Sequence, residues 1–399
     1  MKKFLFALLL FSILLLGCTQ KPSIIKANDS VIVPPTVQSN VSNLTNTSEP
    51  PAVVKSETVK FGAILPLTGT LANIGDGMKN AMLLAVREIN GQGGINGKIV
   101  ELVIEDSACN PSNGVSAATK LVSIDKVLAV AGPTCSGESL ASANVFTDNK
   151  VVALSPSATS SKLTTSSDYL FRIVPSDSFQ GSVAAKYSRN TLGAKRSAIF
   201  YINNDWGVGL RDSFKKTFVD MGGEISTEQS MMGDATDVKT ELTRIRALNS
   251  DLIYLACYPK ECSIALKQIS DFGINITVLG ADGADDPQTL SSLGNAAEGL
   301  TITIASSQNA VDFSKNYKSL YAKEAGAYTA QSYDSINLLA SAVKSGAIDG
   351  PSIKSYLYGV NYKGVSGNIE FDSNGDLKGY KYDLKKWTNG KFVLLEKAG

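Results

Sequence analysis

Between residues 59 and 282 short apolar runs alternate with amphipathic stretches, and this alternation restricts the fold more than any other feature of the chain. "VKFGAIL" (59–65), "KIVELVIED" (98–106), "KVLAVAG" (126–132) and "VVALSP" (151–156) read as strands. Residues 76–90 and 111–124 read as helices. Met78, Met82, Ala85 and Ile89 form one stripe of the first, and Pro111 opens the second. "LPLTGTLANIGDG" reads as the loop ahead of the first helix. The rhythm resumes with strands "SAIFYI" (197–202), "GEIST" (223–227), "DLIYLAC" (251–257) and "ITVLGAD" (276–282), spaced by helices over 206–221, 236–248 and 260–272. Strands that are apolar throughout and separated by helices imply parallel sheets covered on both faces, an α/β fold.

Two such runs of about a hundred residues each fit two lobes. "FRIVPSDSFQG" (171–181) is the expected crossing between them, with a return near Ala305. This divides the folded part into 58–177 plus 305–380 and 178–304 plus 381–399. Near the C-terminus Thr388-Asn389-Gly390 is a hairpin signal.

The first residues are of a different kind. Lys2 and Lys3 precede thirteen apolar-dominated residues, Phe4–Leu16. A membrane-crossing helix needs roughly 20 apolar residues, whereas this length suits a signal peptide, residues 1–17. Leu15-Leu16-Gly17-Cys18 resembles a lipobox, which makes Cys18 the expected lipid-bearing N-terminus; the alternative is an ordinary signal with an incidental cysteine. Residues 18–57 are then a Ser/Thr/Asn/Pro-rich tether with no apolar periodicity. Four Asn-x-Ser/Thr triplets begin there, at Asn28, Asn40, Asn43 and Asn46, against one elsewhere, at Asn275. They fit glycosylation sites, and they equally fit chance in such a composition.

Composition removes several classes of function. There is no histidine, which excludes Ser-His-Asp and Cys-His devices and the usual zinc sites. Thirty-eight basic residues balance 37 acidic ones with no basic stripe for nucleic acid. No cofactor is expected, because no loop has Walker-type or G-x-G-x-x-G spacing. Beyond Cys18 remain Cys109, Cys135, Cys257 and Cys262. They allow three pairings; the local ones, Cys109–Cys135 and Cys257–Cys262, are favoured, with buried free thiols as the rival and metal binding poorly matched by the spacing.

In parallel sheets ligands bind beyond the carboxyl ends of the strands. The segments found there are "PLTGTLANIGDG", "PTCSGES", "SPSATSS", "NNDWGVG", "CYPKEC" and "ADGADDP". Two are dense in hydroxyls just before a helix, a setting that holds a carboxylate. Others carry aromatics and acids.

With "EDSACNPSNGVSAATKLV", "AGPTCSGESLASA", "VVALSPSATSSKLT", "DWGVGLRDSF" and "LGADGADDPQTLSSLGNAAEGL", these segments make the chain resemble type I periplasmic binding proteins of the leucine/isoleucine/valine-binding branch, the receptors of ABC importers. The resemblance covers about 60–397. It implies two Rossmann-like lobes with parallel central sheets joined by three crossovers, and a disulfide between Cys109 and Cys135. It also implies ligand contacts: Ser136 for the carboxylate, Ser157 and Thr159 for carboxylate and ammonium, Trp206 and Tyr258 as aromatic walls, and Asp282 against the ammonium. Tyr328 borders the pocket. Ile74 stands where an aromatic is common, Asp282 is shorter than the branch's glutamate, and Cys257 and Cys262 bracket Tyr258 where the branch has no such pair. Each residue also has a plainer reading: Asp282 as a turn residue, the hydroxyls as helix caps, Trp206, Tyr258 and Ile74 as packing.

With the lipobox-like start, the resemblance implies a monomeric, lipid-anchored extracytoplasmic receptor that captures an amino acid, branched-chain first, for permease subunits in the membrane. The alternative is a sensor of amides, urea or amino acids. A hydrolase using Asp282, Asp285 and Asp286 is a third and weaker reading, since a turn explains that cluster.

Overall fold

The computed structural model describes residues 57–306 and 310–398. The expected signal peptide, Cys18 and all of the tether before Glu57 lie outside the described residues.

Five strands form the first sheet: β1 (Thr58–Leu65), β2 (Ile99–Asp106), β3 (Ala129–Ala131), β4 (Val152–Ser155) and β5 (Leu170–Arg172). All are parallel, in the order β2-β1-β3-β4-β5. Between them run α1 (Ala72–Gly91), α2 (Pro111–Thr119) and α3 (Ser136–Asn149). The chain then crosses into α4 (Asp177–Asn190) and a second alternating run: β6 (Arg196–Ile202), α5 (Asp205–Asp220), β7 (Glu224–Met231), α6 (Lys239–Ala247), β8 (Leu252–Ala256), α7 (Pro259–Asp271), β9 (Thr277–Gly280), α8 (Pro287–Ser292) and β10 (Thr301–Ala305). Helices α9 (Val311–Tyr321), α10 (Thr329–Lys344) and α11 (Gly350–Gly359) go back to the first sheet, followed by the short pair β11 (Tyr362–Lys363) and β12 (Asn368–Ile369). Finally β13 (Tyr382–Thr388) and β14 (Lys391–Ala398) complete the second sheet, ordered β14-β13-β10-β9-β8-β6-β7. β6 to β10 run parallel; the β13–β14 hairpin is antiparallel. Asn389 and Gly390, both at positive φ, make its turn, the conformation that matches strand twist.

The period-two pattern of β1 decides which side chains go to which face. Phe61, Ala63 and Leu65 pack with Met78 and Met82 of α1 and Ile336 and Leu339 of α10, while Ile64 faces Leu121 and Phe146 on the other side. In the second lobe Phe214 of α5 stacks on Tyr254 of β8, with centroids 4.2 Å apart. Each fully buried Phe, Met or Leu of these layers contributes about 1.5–3 kcal/mol.

The structure differs from expectation in four elements. α1 starts at Ala72, inside the stretch read as a loop. Gly75 and Gly77 argue against a helix there by propensity, but Gly75 is needed for packing: a Cβ would overlap the Pro66 carbonyl. β3 is three residues long although the apolar run is seven, and single backbone bonds at Leu128 and Gly132 extend its pairing. β5 ends inside the stretch whose sequence reads only as a crossing. β7 extends to Met231, beyond the expected 223–227, and its half-exposed, polar edge residues give no apolar signal there.

Candidate functional site

The loops following β1, β3 and β4 meet those following β6, β8 and β9 around a small cavity. From the first lobe come Leu71, Ile74, Thr134, Cys135, Ser136 and Ser157, with Ala327 and Tyr328 ahead of α10. From the second come Trp206, Tyr258, Asp282 and Gly283.

One end of the cavity is the start of α3. The Glu138 carboxylate accepts the N–H groups of Thr134 and Cys135, both at 2.8 Å, and burial pushes its pKa up to about 7 against the pull of those bonds. This fixes the turn into the helix, whose first N–H groups have no intrahelical acceptor. Ser136 Oγ accepts the Ser160 N–H at 3.1 Å, which leaves its own O–H free to donate. Ser157 Oγ donates to the Thr134 carbonyl at 2.8 Å, so it presents only its lone pairs. Thr159 is buried but does not line the cavity; its Oγ1 lies beside Asp177.

One wall is aromatic. Trp206 enters in the first turn of α5, whose Asn204 cap accepts the Gly207 N–H. Its ring stacks on Tyr258 at 4.6 Å and 9°. The disulfide Cys257–Cys262 joins the end of β8 to the first turn of α7 and encloses Tyr258. Gly283 interlocks with both, because a Cβ there would overlap the Cys257 carbonyl and the Trp206 ring. The other bridge, Cys109–Cys135, joins the loop before α2 to the cap of α3. Closing a loop of that length contributes roughly 3–4 kcal/mol in the chain-entropy model.

The opposite end is acidic. Asp282 is 5% exposed, and burial raises its pKa. Tyr328 donates its hydroxyl to Asp282 Oδ2. The Gln180 amide and the N–H groups of Asp282 and Gly283 lie near enough to favour the ionised form, yet none makes an aligned bond to Oδ1. Behind it lies Asp177, fully buried, its pKa raised well above the usual range by burial and then by the charge of Asp282.

The hydroxyl-rich loop is held from behind. Arg172, 1% exposed, donates to the carbonyls of Thr159 and Ser160 at 2.8 Å each. It forks onto Asp376 at 2.6 and 2.8 Å, with Thr164 bridging. Across the cavity's rim, Lys162 of the first lobe pairs with Asp205 of the second at 2.7 Å. With Tyr328–Asp282 this makes the described state one in which the two lobes touch.

Seven of the eight residues expected around a ligand thus line one cavity: Ile74, Ser136, Ser157, Trp206, Tyr258, Asp282 and Tyr328. Asp177 was passed over because it sat in a segment read only as a crossing. It opens α4, beyond the end of β5 at Arg172, and no local signal marks it. Leu71 was hidden by the loop reading of 65–77. Among the described residues no helix is long and apolar enough to cross a membrane, and no group of three or more acids or cysteines could hold a metal.

A cavity enclosed by two α/β lobes and reached from strand ends defines a two-lobed binding protein. The Periplasmic binding protein family model matches residues 58–390. The Leu/Ile/Val-binding protein BraC3 of Rhizobium johnstonii is 34% identical over 347 residues, 85% of this chain and 94% of that one. The leucine-binding protein LivK of Thermotoga maritima superposes with a TM-score of 0.80 at 30% identity, covering 85% of this chain and 98% of the other. The branched-chain amino acid transporter substrate-binding protein LivJ of Streptococcus pneumoniae, solved with isoleucine, gives a TM-score of 0.79 at 30% identity, covering 86% and 99%. The chain belongs to the type I periplasmic binding proteins, in the leucine/isoleucine/valine-binding branch. Its relatives are binding proteins, not enzymes.

Proposed function

We propose that this protein is the extracytoplasmic receptor of an ABC importer and binds a branched-chain amino acid between its lobes. The observation that carries this is the polarity of the cavity. The buried Asp282 carboxylate, one oxygen of which has no aligned partner, lies at one end, a helix start with a free Ser136 hydroxyl at the other, and Leu71, Ile74, Trp206 and Tyr258 between. A zwitterion with an aliphatic side chain satisfies all three. Its carboxylate meets Ser136 and the first N–H groups of α3, its ammonium meets the Asp282 carboxylate, and its side chain lies on the apolar wall. Ser157 supplies an acceptor, and Thr159 acts through its neighbours. Contacts to both lobes favour the closed form, which permease subunits would recognise.

The test is thermal unfolding with the twenty common amino acids. Leucine, isoleucine or valine at a hundred times its dissociation constant should stabilise the protein by about 2.7 kcal/mol. Stabilisation by none of the amino acids would overturn the reading.

The same proposal includes the N-terminus. Cleavage before Cys18 and lipid on its thiol would tether one receptor copy beside the permease through the 18–57 segment. Mass spectrometry of the mature protein is expected to find a lipidated Cys18 at the N-terminus; a different start without lipid would remove the anchor.

A further inference from the structure

Tyr328 adopts φ 61°, a left-handed conformation uncommon for a large side chain. It does so at the cap of α10 without making a side-chain cap bond, so capping does not account for it. Its hydroxyl instead crosses from the first lobe to Asp282 on the second. Together with Ala327 it is the wall shared by the inner cavity and a larger one of about 310 Å³. Backbone in a sparsely populated conformation at a cleft points to a functional constraint.

The carboxylate it meets has two unequal oxygens. Oδ2 takes the tyrosine hydroxyl, and Oδ1 is buried with no aligned partner. Behind them Asp177 also has two oxygens without aligned partners. A hydrogen bond to the charged form of a carboxylate favours that form and is among the stronger ones available to it.

We propose that Tyr328 is a positioning residue for the ammonium subsite: its hydroxyl holds the Asp282 carboxylate through Oδ2 from the opposite lobe and so fixes how that charge is presented to the ligand. This rests on the amino-acid reading of the cavity. Closing the lobes and orienting the charge are then one event, since the hydroxyl reaches Asp282 only when the lobes meet. Tyr328 does not supply charge; it decides where the charge of Asp282 points.

The test is calorimetric titration of leucine into the wild type, Tyr328→Phe, Asp282→Asn and the double variant, with thermal unfolding of each in the absence of leucine. Tyr328→Phe removes one oxygen from a buried ring. It should weaken leucine binding about tenfold, as expected for a lost charge-assisted bond, with thermal unfolding showing that the variant is folded. In the Asp282→Asn background the same substitution should have no further effect on affinity. Equal or tighter binding by Tyr328→Phe would overturn the proposal, tighter binding meaning that the hydroxyl competes with the ammonium. An equal loss in both backgrounds would also overturn it. A wild type that binds no amino acid fails the functional reading itself, whereas a wild type that binds beside an unaffected Tyr328→Phe fails only this one.

Discussion

Asp282→Ala is expected to weaken amino-acid binding at least about tenfold with the fold unchanged. The proposed ammonium has one anionic partner in the cavity lining, and that partner is nearly excluded from water. A charge-assisted hydrogen bond contributes about 1.5–3 kcal/mol, and leaving a buried ammonium without it costs more than an ordinary lost contact. Asp282→Asn should be almost as damaging, because charge rather than shape is lost. Calorimetric titration with leucine reads both; unchanged affinity would return Asp282 to a turn residue. The same buried acids set a pH dependence. Burial raises the pKa of Asp282, and burial with the Asp282 charge raises that of Asp177. Ammonium binding needs ionised Asp282, so affinity should rise with pH from the ordinary carboxylate range up through the raised value. Stability of the empty protein runs the opposite way. A carboxyl whose folded pKa lies above its unfolded one binds the proton more tightly when folded, so stability falls as pH rises across that window. Asp282→Asn should therefore melt higher than the wild type at neutral pH without ligand, an exchange of stability for function.

Arg172→Met is expected to cost about 3–5 kcal/mol of stability, the range for breaking a buried ion pair by removing one partner. Asp376 would lose its cationic partner at 17% side-chain exposure, and the carbonyls of Thr159 and Ser160 would lose their donor. A fall in the urea midpoint with unchanged slope reads the loss. Arg172→Met with Asp376→Leu should recover much of it, since removing both charges leaves neither stranded. A single variant as stable as the wild type would mean the pair is solvated in solution. Leucine affinity should fall as well, because the same guanidinium holds the loop whose Ser160 N–H bonds Ser136.

The alternation of apolar strands with helices was legible because parallel strands are buried on both faces and must be apolar along their length. Where that condition lapsed, the reading failed. β7 is a half-exposed edge, and β5 is a three-residue edge strand continuing into the crossing. The start of α1 was hidden because Gly75 answers to a tertiary contact with Pro66, not to helix propensity. In the site, residues directly after strands were readable because topology alone carries them to the cleft. Asp177 was not, since what brings it near Asp282 is the chain's passage between lobes. Nor could spacing tell that Thr159 turns away while Ser157 lines the cavity.

The two sides of the cavity differ in how freely they can change. Trp206, Tyr258 and Gly283 are stacked, bridged and sterically locked to one another, so a substitution at any of them disturbs its neighbours. Ile74, in the first turn of α1, is only half-buried, and with Leu71 it faces that fixed wall from a separate element. A lineage carrying this receptor therefore has a constant template and an adjustable jaw. Single substitutions at position 74 can reshape the cavity while the locked wall stays unchanged.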